Sequence, residues 1–84
     1  MDRDEFRGMT IADQGMTLLN EGRHLTVLKR EGHLLNLYAI EDFFVEVYYS
    51  FQLENIDKIE IVTDYSKIDK YIEGNQKEEK ILLN

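Results

Sequence analysis

From Arg23 to Val62 apolar residues recur with a period of two, the spacing of strands that bury a face. Arg23 to Arg30 sets Leu25, Val27 and Lys29 against His24, Thr26 and Leu28, and the Glu31-Gly32 turn leads into a second strand, His33 to Ile40. A two-residue loop there places Arg30 opposite His33, Leu28 opposite Leu35 and Thr26 opposite Leu37. Glu41-Asp42 makes the next turn, ahead of Phe43 to Phe51, where β-branched and aromatic residues surround a single charge, Glu46. Two registers fit this hairpin. A two-residue loop sets Ile40 opposite Phe43, Tyr38 opposite Val45, Asn36 opposite Val47 and Leu34 opposite Tyr49. A three-residue loop aligns Leu35, Leu37 and Ala39 with Val47, Val45 and Phe43, because a slip of one residue exchanges faces. Aromatics occupy both faces in either case. After a bend or bulge at Leu53-Glu54-Asn55, a fourth strand, Ile56 to Val62, carries Ile59 and Ile61 on one side and Lys58 and Glu60 on the other.

Helical spacing brackets these strands. Thr10 is a plausible N-cap with Asp13 three residues on, Ile11, Met16, Leu18 and Leu19 form an apolar stripe, and Gly22 suits the helix end. Gly15 costs about 1 kcal/mol relative to alanine inside a helix and fits a close approach to the sheet. Asp64 or Ser66 caps a closing helix with Tyr65, Ile68, Tyr71 and Ile72 at helical spacing, ending at Gly74. Residues 1–8, polar apart from Phe6, read as a flexible arm, and residues 75–84 as a flexible tail whose Ile81-Leu82-Leu83 is of the kind that docks on something. The expectation is one α+β domain over residues 1–84: a four-stranded antiparallel β-meander flanked by an N-terminal and a C-terminal helix, in the order α-β-β-β-β-α. Five short strands closing toward a barrel are the alternative.

Composition narrows the function more than the fold. A chain of 84 residues buries only about 60–65% of its unfolded surface, so its core must be economical. No run approaches the roughly 18 apolar residues of a membrane span, and Met-Asp-Arg-Asp-Glu-Phe-Arg lacks the plan of a signal peptide, so a cytoplasmic protein without membrane contact is expected. With Cys 0, neither a disulfide framework nor a thiolate zinc site is available. A net charge of -7, from 17 acids against 10 bases, repels phosphate backbones and disfavours direct nucleic-acid binding.

Candidate chemistry is sparse. His24 and His33 lie about 20 Å apart along the first hairpin and cannot share a metal. Glu46 invites a reading as a carboxylate with raised pKa in an apolar cleft, but a half-buried strand position paired with Lys58, Lys29 or a tyrosine hydroxyl explains it without a catalytic constellation. The turn acids Glu41, Asp42, Glu54, Asp57 and Glu60 fit no calcium loop, the glycines are too dispersed to cradle phosphate, and Ser50 and Ser66 sit in no nucleophile motif. No catalytic residue, metal or cofactor is assigned. Tyr38, Phe44, Tyr48, Tyr49 and Phe51 resemble a base-stacking platform, yet Asn36, Glu46 and Ser50 stand where such platforms carry Arg and Lys. A core or protein interface therefore suits Tyr38, Phe44, Glu46, Tyr48, Tyr49 and Phe51 better.

The runs Leu-Leu-Asn-Leu-Tyr, Phe-Phe-Val-Glu-Val-Tyr-Tyr and Ile-Asp-Lys-Ile-Glu-Ile between Leu34 and Ile61 resemble a family of short uncharacterised bacterial proteins. That resemblance implies a small self-contained domain and brings no activity or site residue with it. The expected function is a non-enzymatic protein-interaction module, homodimeric and binding a protein partner through an aromatic sheet face. Alternatives are an acidic regulatory partner, antitoxin-like or a nucleic-acid mimic, and a small-ligand binder using Glu46 and nearby tyrosines.

Overall fold

The strands form where the alternation places them. In a computed structural model that describes residues 1–74, β1 (Arg23–Arg30), β2 (His33–Ile40), β3 (Phe43–Ser50) and β4 (Asn55–Ile61) make one antiparallel sheet in the order β1-β2-β3-β4. The sheet is an open meander, not a barrel. Both leading hairpins close through two-residue loops: Arg30 pairs with His33 and Ile40 with Phe43, which selects the register that puts Tyr38 opposite Val45 and Leu37 opposite Glu46. Gly32 turns the first loop at φ 76, a conformation open to glycine at no steric cost. The second loop puts Glu41 into the left-handed region at φ 50. β1 is bulged between His24 and Thr26, and the pairing of β3 with β4 shifts between Tyr48 and Tyr49.

Each face of the sheet carries its own core. On the front face Ile40, Phe43, Val45 and Val47 pack beneath α1 (Arg3–Arg7) and α2 (Ile11–Glu21), which contribute Phe6 and Leu18. On the back face Leu28, Leu35 and Leu37 pack with Val62 and Tyr71. The cover there is a 3-10 turn, Tyr65–Ile68, that runs on into helical residues 69–74. Asp64 caps this segment by accepting a hydrogen bond from the Ser66 amide at 3.0 Å, and the Ser66 hydroxyl, followed by that amide, holds its carboxyl below the usual range. Among the described residues no helix is long and apolar enough to cross a membrane.

Residues 1–8 are a correction to the expected arm. Asp2 caps α1 by accepting from the Glu5 amide at 2.9 Å, Asp4 and Glu5 lie in the first turn and Arg7 in the last, as the helix dipole favours. Phe6 is fully buried edge-to-face on Phe43, with ring centroids 6.0 Å apart, and Met1 packs against the same cluster. The buried Gln14 side chain then donates to the Phe6 carbonyl at 3.0 Å, tying α2 to α1. The helix at 11–21 starts as expected, with Thr10 accepting from the Asp13 amide at 3.1 Å. Gly22 ends it for a different reason: its φ is -83, and what requires glycine is the Leu18 carbonyl oxygen, 2.8 Å from where a Cβ would stand. The readings of residues 75–84 lie outside the described residues.

Phe6→Ala is expected to cost about 3–5 kcal/mol, the usual loss for an aromatic removed from a core, measured by urea unfolding. A loss under 1 kcal/mol would mean that α1 is a loosely held arm.

Candidate functional site

β3 crosses the middle of the sheet, so alternate residues serve opposite faces. Val45 and Val47 go to the front, while Phe44, Glu46 and Tyr48 go to the back, beneath the closing segment. Glu46 is only 1% exposed. Its Oε2 accepts a hydrogen bond from the Tyr71 hydroxyl at 2.8 Å and pairs with Lys70 Nζ at 2.7 Å. The neighbouring Tyr48 ring has Lys58 Nζ 4.4 Å and Lys70 Nζ 5.9 Å from its centroid. Of the three partners foreseen for Glu46, a tyrosine hydroxyl is correct and Lys58 and Lys29 are not; the cation comes from Lys70.

Burial, then the hydrogen bond to Glu46 and its charge, push the Tyr71 hydroxyl well above the ordinary range of a phenol. Burial followed by the charges of Glu46 and Glu60 raises Tyr48 as well. Both phenols are therefore neutral near pH 7, and neither is a nucleophile there. Glu46 does not line the groove beside α2, the hollow between Arg7 and Lys67, or the one between Arg30 and Asp57. Its Oε2 is held by Lys70 and Tyr71, and through them Glu46 anchors the closing segment.

The six expected interface residues do not make one surface. Phe44, Glu46 and Tyr48 lie under the back cover, and Tyr38 belongs to the front. Phe51 is exposed beyond the end of β3, where it meets the Tyr49 ring edge-to-face at 6.2 Å. The histidines stay apart: His24 hydrogen-bonds Asn36 Oδ1 at 3.0 Å, and His33 Nε2 lies 3.3 Å from Asp57 Oδ2. Among the described residues no group of three or more His, Asp or Glu is arranged to hold a metal ion.

The open feature is on the front face. The stripe of α2 does not point straight at the sheet: Leu18 is 2% exposed, whereas its neighbour Leu19 is 74% exposed and Met16 57%. At about 100° per residue, Ile11, Gly15, Leu19, Ala12 and Met16 follow Leu18 around the helix over about 160°, so the apolar arc extends well past the side that faces the core. Beside it runs a groove of about 440 Å³, floored by Gly15, Tyr38, Val47 and Ile56 and rimmed by Ile11 and Leu19. Asp13, Asn20 and Glu21 fall outside this arc.

These features define a small α+β domain with a three-layer arrangement, a buried ionic anchor behind the sheet and an apolar groove in front. Comparisons with protein-family models, with curated proteins and with solved structures return no match.

Replacing Tyr71 by Phe removes one of the donors to a buried carboxylate and is expected to cost about 1.5–3 kcal/mol at pH 7. A phenol whose folded pKa is raised contributes stability that is complete below the unfolded value of 10.0 and is lost as the pH climbs through the folded value. Thermal melts should therefore fall more steeply above pH 10.0 in the wild type than in Tyr71→Phe, and superimposable alkaline limbs would remove Tyr71 from the linkage.

Proposed function

We propose that the chain is a non-enzymatic protein-interaction module that self-associates as a homodimer through the outer side of α2 and the groove beside it. The observation that supports this reading is the paired exposure of Leu18 and Leu19, 2% and 74%. An amphipathic helix that served only its own sheet would turn both inward. The aromatic sheet residues expected as the interface are less suited, because the closing segment covers Phe44, Glu46 and Tyr48.

A second copy fits this surface because the stripe is close to its own complement. Ile11 and Leu19 lie four residues either side of Gly15, so two α2 helices packed antiparallel about a two-fold axis at Gly15 set Ile11 of each against Leu19 of the other. Ala12 and Gly15 leave room at the crossing, and a Cβ at Gly15 would meet nothing closer than Ile56 Cδ1 at 3.8 Å. Charged residues lie outside the arc, so the symmetric contact brings no like charges together. An acidic mimic is less suited, because Glu41 and Asp42 occupy one end of the sheet and Glu31 and Glu54 the other.

Sedimentation equilibrium of the full chain should give a concentration-dependent monomer–dimer equilibrium that Leu19→Glu abolishes while leaving the circular dichroism intact. Gly15→Ala separates packing from folding: it should raise the stability of the monomer by up to about 1 kcal/mol and weaken dimerisation at least tenfold. A strict monomer at millimolar concentration, or dimers indifferent to Leu19→Glu, would overturn the reading.

A further inference from the structure

We infer that the outer edge of β1 is a docking edge for an extended acidic segment of a partner protein, added to the sheet as a further strand. β1 is the first strand of the sheet, and six of its eight residues are exposed. The closing pair of the first hairpin, Arg30 and His33, exchanges hydrogen bonds, and the bonding alternates from there. Arg30 and Leu28 thus bond inward to β2, while the N–H and C=O groups of Lys29 and Val27 point outward, unmatched by any strand among the described residues. The bulge lies at the far end, between His24 and Thr26, so the edge is regular from Thr26 to Arg30. That is the geometry an extended peptide uses when it extends a sheet.

Charge selects the partner. The protein carries a net charge of -7, yet β1 contains Arg23, His24, Lys29 and Arg30 and no acid. Among the described residues, Arg23, Lys29 and Arg30 make no ion pair within 4.0 Å. The cations lie at the two ends of the strand, and the exposed Leu25 and Val27 lie between them. A second copy of β1 is a poor complement, because each strand brings Arg23, Lys29 and Arg30 and no acid, so the copies offer each other only like charge. The complement is a segment with acids at both ends and β-branched residues between them. The two-fold contact proposed for α2 uses other residues.

The probe is a capped eight-residue peptide with alternating Val and Thr at its centre and two glutamates at each end, with a lysine-ended counterpart as control. Titrated into the isotope-labelled full chain, the glutamate peptide should shift the amide resonances of Val27 and Lys29 most, weaken at least tenfold between 50 mM and 500 mM salt, and leave the control without effect. The exposed double substitution Arg23→Glu with Lys29→Glu should keep the melting temperature and reverse the preference between the two peptides. Val27 and Lys29 amides already protected from hydrogen exchange in the free protein would overturn the inference, because the edge would then be occupied by this chain or by a second copy. So would binding that ignores the charge reversal, shifts centred on the α2 groove, or no binding of the glutamate peptide at millimolar concentration.

Discussion

A carboxylate closed off from water on the central strand is the constraint from which the rest of this structure follows. An unpaired charge at the Glu46 site would cost several kcal/mol, a large share of the stability available to a chain of 84 residues. Lys70 and Tyr71 answer it from one short segment. The closing segment therefore cannot be an optional appendage: its Tyr71 completes the apolar cluster of Leu28, Leu35, Leu37 and Val62 and saturates the carboxylate with the same side chain. Fidelity of docking comes from that coupling, because a helix shifted by one residue would bury the charge without its donors.

Once the back face is closed, the front face determines what surface is left for partners. Two short helices must cover it, and α1 places its single apolar side chain, Phe6, on the end of the sheet near Phe43. α2 reaches the sheet through Leu18 and Gln14, leaving Ile11, Met16 and Leu19 outside. The cover is narrow because α1 is a five-residue helix and α2 buries only Gln14 and Leu18. The apolar groove is thus a product of economy in the fold as much as a feature available for association.

Much of this was legible from the sequence, and what was not has physical causes. The strands and the first hairpin register follow from period-two alternation and from Glu31-Gly32, where glycine takes φ 76. The second register did not follow, because Phe43 to Tyr49 is apolar on both faces and only the positions of Lys70 and Tyr71 decide which face receives Glu46. Those partners lie 24 and 25 residues downstream of Glu46, with no local signal linking them to it. α1 escaped notice because five of the chain's first seven residues are charged, yet a cue was present: Asp2 at the N-cap, Glu5 three residues on, and Met1 with Phe6 at the spacing of a hydrophobic staple. The stripe of α2 was visible, but its rotation relative to the sheet was not, since periodicity reports that a helix has an apolar side and is silent on how much of that side finds cover.

The two exposed surfaces differ in kind, and the difference separates their roles. The α2 groove is apolar, free of charge within its arc and close to self-complementary, so salt should hardly affect its association and its specificity rests on shape. The β1 edge is cationic at both ends in an acidic protein, so its encounter with an acidic segment is steered by charge and is sensitive to ionic strength. Like charge on β1 also guards the edge against pairing with its own copy, which an exposed Leu25 and Val27 would otherwise invite. The proposed dimer through α2 would leave one such edge on each copy, since like charge disfavours self-pairing at β1.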